Sequence, residues 1–152
     1  MARVKSYIAP TSFGNTMISD KNNCTVRALS NVTGKDIRDC YLEMKKCGRK
    51  ENKGCYPRQF HVCYVAQNNL KFLGYYGTTL AAERFKRDIE SVGYTLAGMR
   101  QKGTSLEKFI KDHPVGKYIV ITIGHAVAVV DGKLIDTGLN RGGASVIAAY
   151  KA

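Results

Sequence analysis

The 152-residue chain has no apolar run near the roughly 18–20 residues that a membrane span requires. Its start, MARVKSYIAPTSFG, lacks the roughly 7–15-residue apolar stretch and the small-residue cleavage site of a secretory signal. Prolines number three and glycines fifteen, without period, too few for a collagenous or low-complexity chain. No internal repeat is present, and no linker is long enough to divide the sequence. The expectation is therefore one domain spanning 1–152, located in the cytoplasm, with no membrane partner. A chain of this size buries about two-thirds of its extended surface, which supports a core without covalent staples.

Acidic residues are scarce, 12 against 24 Lys plus Arg, for a formal net charge of +12. Such an excess draws a protein toward nucleic acid, anionic lipid or acidic protein surfaces. The distribution speaks against a polyanion track. The densest basic stretch, Arg38 to Arg58, holds Lys45, Lys46, Arg49, Lys50 and Lys53, but Asp39, Glu43 and Glu51 interrupt it. It reads as a solvated or protein-facing surface, with residues 48–56 as a mobile surface loop. Aromatics near basic residues (Tyr64, Phe72, Tyr75, Tyr76) either stack bases or build a core.

Five cysteines, Cys24, Cys40, Cys47, Cys55 and Cys63, are an odd number without a secretion signal, which indicates free thiols in a reducing compartment. Four of them lie within 24 residues, with His61 among them. Their spacing, Cys40-x₆-Cys47-x₇-Cys55-x₇-Cys63, lacks the C-x₂₋₄-C pairing of structural zinc sites. Neither a metal nor an organic cofactor is expected, and Cys40 and Cys63 read as small buried hydrophobes on helices.

The first half of the chain reads as helical. Asn22-Asn23-Cys24 leads into TVRALSNVT, with Cys24, Ala28, Leu29 and Val32 on one stripe and Gly34 as the stop. Lys35 to Cys47 places Ile37, Cys40, Tyr41 and Met44 at helical spacing, closed by Gly48. Pro57 suits the first turn of a third helix running to about Asn68. Leu70 to Tyr76 suits a short strand, Ala81 to Ser91 a helix and Tyr94 to Met99 a strand. Thr104 and Glu107 form a capping-box pattern for a helix that ends before Pro114. The texture then turns β-branched: Lys117 to Ile123, an interruption at Gly124-His125, Ala126 to Val130, the hairpin signal Asp131-Gly132, Lys133 to Asp136, and Ala144 to Tyr150. Helices first and an antiparallel sheet last predict an α+β domain, with N-terminal helices packed on a C-terminal antiparallel sheet.

Cys24 stands where a polar loop becomes a helix, a place where free backbone N–H groups and the helix dipole favour a thiolate. His125 stands between two apolar β runs. A two-residue Asp131-Gly132 turn pairs Val130 with Lys133, hence Val127 with Asp136 and His125 with Gly138. His125 and Asp136 then become diagonal neighbours on one face, expected to look toward Cys24, about 7–8 Å apart at the backbone and within side-chain reach. A carboxylate that orients an imidazole is half of a nucleophilic triad, and Cys24 is the thiol that completes it.

NNCTVRALSNVTG, followed far downstream by SLEKFIKDHPVGKYIVITIGHAVAVVDGKLIDTG, resembles the papain-like cysteine peptidases. It is most similar to the small C39-like forms carried by bacteriophages and prophages. The resemblance covers roughly residues 20–48 and 104–137. It implies a papain-like fold with Cys24 as nucleophile, His125 as general base and acid, and Asp136 as the residue orienting the imidazole. It also implies a protein or peptide substrate and, for a phage-encoded enzyme, the host cytoplasm as workplace. Papain-like enzymes carry a Gln shortly before the cysteine that helps hold the oxyanion, whereas here no Gln occurs before Gln59. Asn22 or Asn23 is the substitute amide donor, unless Asn23 only starts the helix.

The function expected from these features is thiol-dependent hydrolysis of a peptide, isopeptide or related amide bond, with acidic substrates favoured by the basic chain. Two alternatives remain open at this point. One is a papain-like scaffold that binds or inhibits a host protein without turnover, suggested by the missing Gln. The other is a basic nucleic-acid-binding protein, for which the charge speaks.

Overall fold

A computed structural model of the protein describes residues 24–50, 55–135 and 144–152, together with the backbone of a short strand at Ser6–Tyr7. The fold is α+β. Its elements in chain order are β1 (Ser6–Tyr7), α1 (Cys24–Thr33), α2 (Ile37–Lys46), α3 (Pro57–His61), a π-helical turn (Val62–Gln67), β2 (Lys71–Tyr76), α4 (Leu80–Glu90), β3 (Arg100–Gln101), α5 (Leu106–Asp112), β4 (Lys117–Thr122), β5 (His125–Val130), β6 (Lys133–Ile135) and β7 (Ala148–Lys151).

The strands form one sheet in the order β1-β6-β5-β4-β7-β2-β3. Its centre, β4 and β5, is buried on both faces, which is why these segments read as near-continuous apolar runs. One face carries Ile119, Ile121, Ala126 and Ala128 and packs beneath α1 to α4. The other carries Tyr118, Val120, Val127 and Val129 and is covered by Leu106, Phe109 and Ile110 of α5. The small side chains Ala126 and Ala128 let α1 lie closely along β5, with Val26, Ala28, Leu29 and Val32 as its buried stripe. Gly34, in the left-handed region at φ +78°, ends α1 by donating to the Ser30 carbonyl.

The hairpin register follows the turn residues. Asp131 (φ 49°) and Gly132 (φ 77°) both take the positive φ of a tight hairpin turn, and Val130 pairs with Lys133, Val129 with Leu134 and Ala128 with Ile135. The Asp131 carboxylate also accepts from the Gly116 N–H at 2.9 Å, tying the turn to the start of β4.

Several expectations need correction. The sheet is not confined to the C-terminal part of the chain, nor is it purely antiparallel. β2 and β3 come from the middle, and the pairs β1–β6 and β2–β3 are parallel. β2 enters because it carries Phe72 onto β7 beside Tyr150 and buries Tyr75, opposite Ala148, in the same core. Residues 94–99 are not a strand. Leu96 is buried and Tyr94 and Met99 pack against the core without extended pairing; the Leu96 N–H donates to the Glu90 carboxylate and its carbonyl accepts from Met99, so the strand begins only at Arg100. The helix cap is Ser105, whose hydroxyl accepts from the Lys108 N–H at 3.1 Å; the Thr104 carbonyl is engaged by Val146. The third helix changes pitch at Val62 instead of running on evenly. The interruption in the β run is a turn at Ile123-Gly124, so His125 already belongs to β5 and pairs with Thr122. The last strand starts at Ala148, four residues later than the pattern suggests.

The basic segment is not uniformly solvated. Lys45, Lys46 and Lys50 are exposed, but Arg49 is buried, its guanidinium 5.7 Å from the centre of the Tyr41 ring and its backbone N–H donating to the Met44 carbonyl. The reading of 48–56 as a surface loop therefore fails at Arg49, and Lys53 lies outside the described residues.

His61 is 2% exposed and sits among aromatic rings, with its Nδ1 2.7 Å from the Tyr150 hydroxyl. Burial lowers its pKa from 6.5 to about 4. Below pH 6.5 the unfolded chain takes up a proton that the folded chain refuses, so stability falls as pH drops and levels off below about 4. With solvent screening allowed for, this contributes about 2 kcal/mol. Urea unfolding at pH 7 and pH 4 should show wild type losing about that much more than His61→Gln across the same interval.

Candidate active site

Two distant parts of the sequence meet at a cleft of about 700 Å³, a size suited to a small ligand or a few peptide residues. Cys24, the first residue of α1, lines one side. The tip of the β4–β5 hairpin, from Ile121 through His125 to Ala126, lines another. Cys55 and the start of α3 supply a third side, and Ala81, Arg84, Phe85 and Asp88 of α4 the fourth.

Each position has a local cause. The apolar stripe of α1 fixes that helix on Ala126 and Ala128, which brings its N-terminus to the end of β5 where His125 stands. The Thr25 carbonyl in the first turn accepts from the fully buried Tyr64 hydroxyl at 2.8 Å, anchoring the residue next to Cys24. The tight Ile123-Gly124 turn, with Gly124 at φ +68°, makes His125 the first residue of its strand, so it borders the open rim of the sheet. Across the cleft, Asp88 accepts from both the Arg58 guanidinium at 2.7 Å and the Arg58 backbone N–H at 2.9 Å, clamping α4 to the start of α3. The acid also caps a free backbone donor of α3, where negative charge is favoured. Two large apolar side chains, Tyr56 at 58% exposure and Ile123 at 69%, stand at the rim of this cleft.

Cys24 and His125 are thus placed on one cleft. The remaining sequence-predicted residues, Asp136, Asn22 and Asn23, lie outside the described residues. The hairpin pairing that was extrapolated to Asp136 is present as far as Ala128–Ile135. One part of the hairpin reasoning needs correction. Strand alternation groups His125 with Val127 and Val129, and that face looks toward α5, not toward α1. His125 borders the cleft because it ends the strand, not because its face of the sheet is turned to Cys24.

Among the five thiols, burial pushes Cys40 up to about 11 and Cys55 up to about 12, and raises Cys47 and Cys63. Cys40 and Cys63 are fully buried, as small core residues are. His61 is committed to Tyr150, and among the described residues no three His, Cys, Asp or Glu side chains converge as a metal site would need. Of the aromatics considered for base stacking, Tyr64 and Tyr75 are buried in the core. No described helix is long and apolar enough to cross a membrane.

Sequence reasoning missed Thr25, Cys55 and the α4 wall as cleft residues. Nothing in local spacing marks them, since the folding of α3 and α4 over the sheet brings them in. The chain matches no protein-family model, and no curated protein or solved structure matches it significantly.

Proposed function

We propose that the protein is a papain-like, thiol-dependent hydrolase acting on a peptide, isopeptide or related amide bond, with Cys24 as nucleophile, His125 as general base and acid, and Asp136 as the residue that orients the imidazole. The observation that carries this reading is the shared cleft: a cysteine at the first residue of a helix and a histidine at the first residue of a strand, drawn together from opposite ends of the chain.

In the proposed reaction His125 takes the Cys24 proton and the thiolate attacks the acyl carbon. The tetrahedral oxyanion is held by backbone donors at the start of α1 and by an amide of Asn22 or Asn23. His125 then protonates the leaving amine, and water, activated by the same imidazole, hydrolyses the thioester. No metal or organic cofactor enters this chemistry. The exposed Tyr56 and Ile123 offer apolar contact for side chains flanking the scissile bond, and the +12 charge favours acidic protein substrates in the cytoplasm of a phage's host.

The test is a degenerate peptide mixture incubated with reduced protein, with new amine termini mapped by mass spectrometry. The expected result is cleavage by wild type and none by Cys24→Ala. Cleavage by neither protein, combined with retained biological effect of Cys24→Ala, would favour a binding scaffold. That second reading draws on the exposed Lys45, Lys46 and Lys50, and their replacement by Glu should then remove the effect.

A further inference from the structure

We propose that Cys24 and Cys55 are a dithiol pair that a hydroperoxide closes to a disulfide at the cleft, a modification site distinct from hydrolytic turnover. The two cysteines are the thiols that line the cleft, and both are free and half-buried. The cleft also takes in Thr25, the residue after Cys24, whose buried hydroxyl has no hydrogen-bond partner among the described residues. Charge on Cys24 is felt both at Cys55 and at Tyr64, the residue that holds the Thr25 carbonyl. The other thiols are unsuited to the role: Cys40 and Cys63 are fully buried, and Cys47 is not among the residues that line the cleft.

The chemistry balances with a hydroperoxide as oxidant. The Cys24 thiolate attacks the terminal peroxide oxygen, the O–O bond breaks, and the alkoxide or hydroxide leaves and takes up a proton, giving a sulfenic acid. The Cys55 thiol then loses its proton and attacks the Cys24 sulfur. The S–S bond forms, the S–OH bond breaks, and the hydroxide departs as water with that proton. Two thiols are oxidised by two electrons, and one peroxide is reduced to an alcohol and water, or to two waters.

The surroundings of Cys55 set the order of events. Burial, with like-signed Cys47 and Cys24, keeps it protonated, while Arg49 pulls the other way; the balance lies at about 12. Cys55 is therefore slow to oxidise first and suited to act second, and closure should quicken as pH rises. The closed form would protect Cys24 from the irreversible sulfinic and sulfonic states.

The experiment treats reduced wild type and Cys55→Ser with hydrogen peroxide, then maps all five cysteines by mass spectrometry before and after dithiothreitol. Wild type should yield a Cys24–Cys55 cross-linked peptide, and reductant should restore full iodoacetamide labelling of Cys24. Cys55→Ser should instead trap Cys24 as a dione-reactive sulfenic acid that proceeds to sulfinic acid, with labelling lost. A wild type that drives Cys24 to sulfinic acid as fast as Cys55→Ser, leaves Cys24 reduced, or bridges Cys24 to another cysteine overturns the proposal. The wild-type map decides the matter even if the serine variant does not fold. The proposal borrows from the hydrolase reading only the accessibility of Cys24, and the cross-link is read without any substrate, so absence of peptide cleavage and absence of the bridge are separate failures.

Discussion

Replacement of Cys24 by Ala is expected to lower amide hydrolysis by about 10⁴–10⁶-fold, the scale seen when a covalent nucleophile is removed. The fold should survive. Cys24 is half-buried at the rim of the core, and loss of one sulfur there costs on the order of 1 kcal/mol. His125→Ala should fall to a similar floor, because nucleophile and base act as one unit. The Cys24→Ala/His125→Ala double variant should be no worse than either single one. Asp136→Asn should weaken activity without abolishing it, since an amide still positions an imidazole ring. Initial-rate assays on a cleaved peptide, with circular dichroism to verify folding, check all four. A multiplicative loss in the double variant would mean that the two residues act independently.

Gly74→Ala is expected to be the most damaging small substitution in the sheet. Gly74 has φ +126°, in a region L side chains rarely adopt, and lies at the irregularity in the β2–β7 pairing. A Cβ there would run into the Met99 carbonyl oxygen and approach the Gln101 side chain to 2.9 Å, pushing β3 off β2. Backbone strain and steric displacement together amount to about 3 kcal/mol, or a fall in Tm of about 10 °C for a domain of this size. Gly34→Ala is the control. Its φ of +78° is also positive, but the added Cβ meets nothing within 4 Å, so only the backbone term of about 1 kcal/mol remains. Equal Tm values for the two variants would show that β3 does not rest on β2 as described.

What the sequence disclosed follows from local physics. The stripe Ala28, Leu29 and Val32, the Gly34 stop, the Pro57 helix start and the Asp131-Gly132 turn each act through neighbours a few residues away, and each lies where periodicity and turn chemistry put it. What it concealed is set by packing. Tyr94 to Met99 looks extended because it is apolar, yet its apolar residues reach the core from turns, with Leu96 buried and Tyr94 and Met99 packed against it. Arg49 reads as a surface charge, but the turn after α2 folds it under Tyr41. The candidate site shows the same division. The meeting of Cys24 with His125 depends on two alanines that let a helix approach a strand, a fact invisible in either motif alone. Alternation puts His125 on the face of Val127 and Val129, and only the packing of the helices over the sheet shows that this face is the one covered by α5.

The central claim is that Cys24 is activated by His125, and the rate of iodoacetamide alkylation at pH 6, mapped cysteine by cysteine, tests it most directly. Burial raises the other four thiols, so they should react slowly there. The account predicts that Cys24 is labelled first in reduced wild type and that His125→Ala slows this labelling by at least about ten-fold, as expected when a thiolate loses its imidazolium partner. Equal labelling of Cys24 and Cys55, or a Cys24 rate unchanged in His125→Ala, would contradict it.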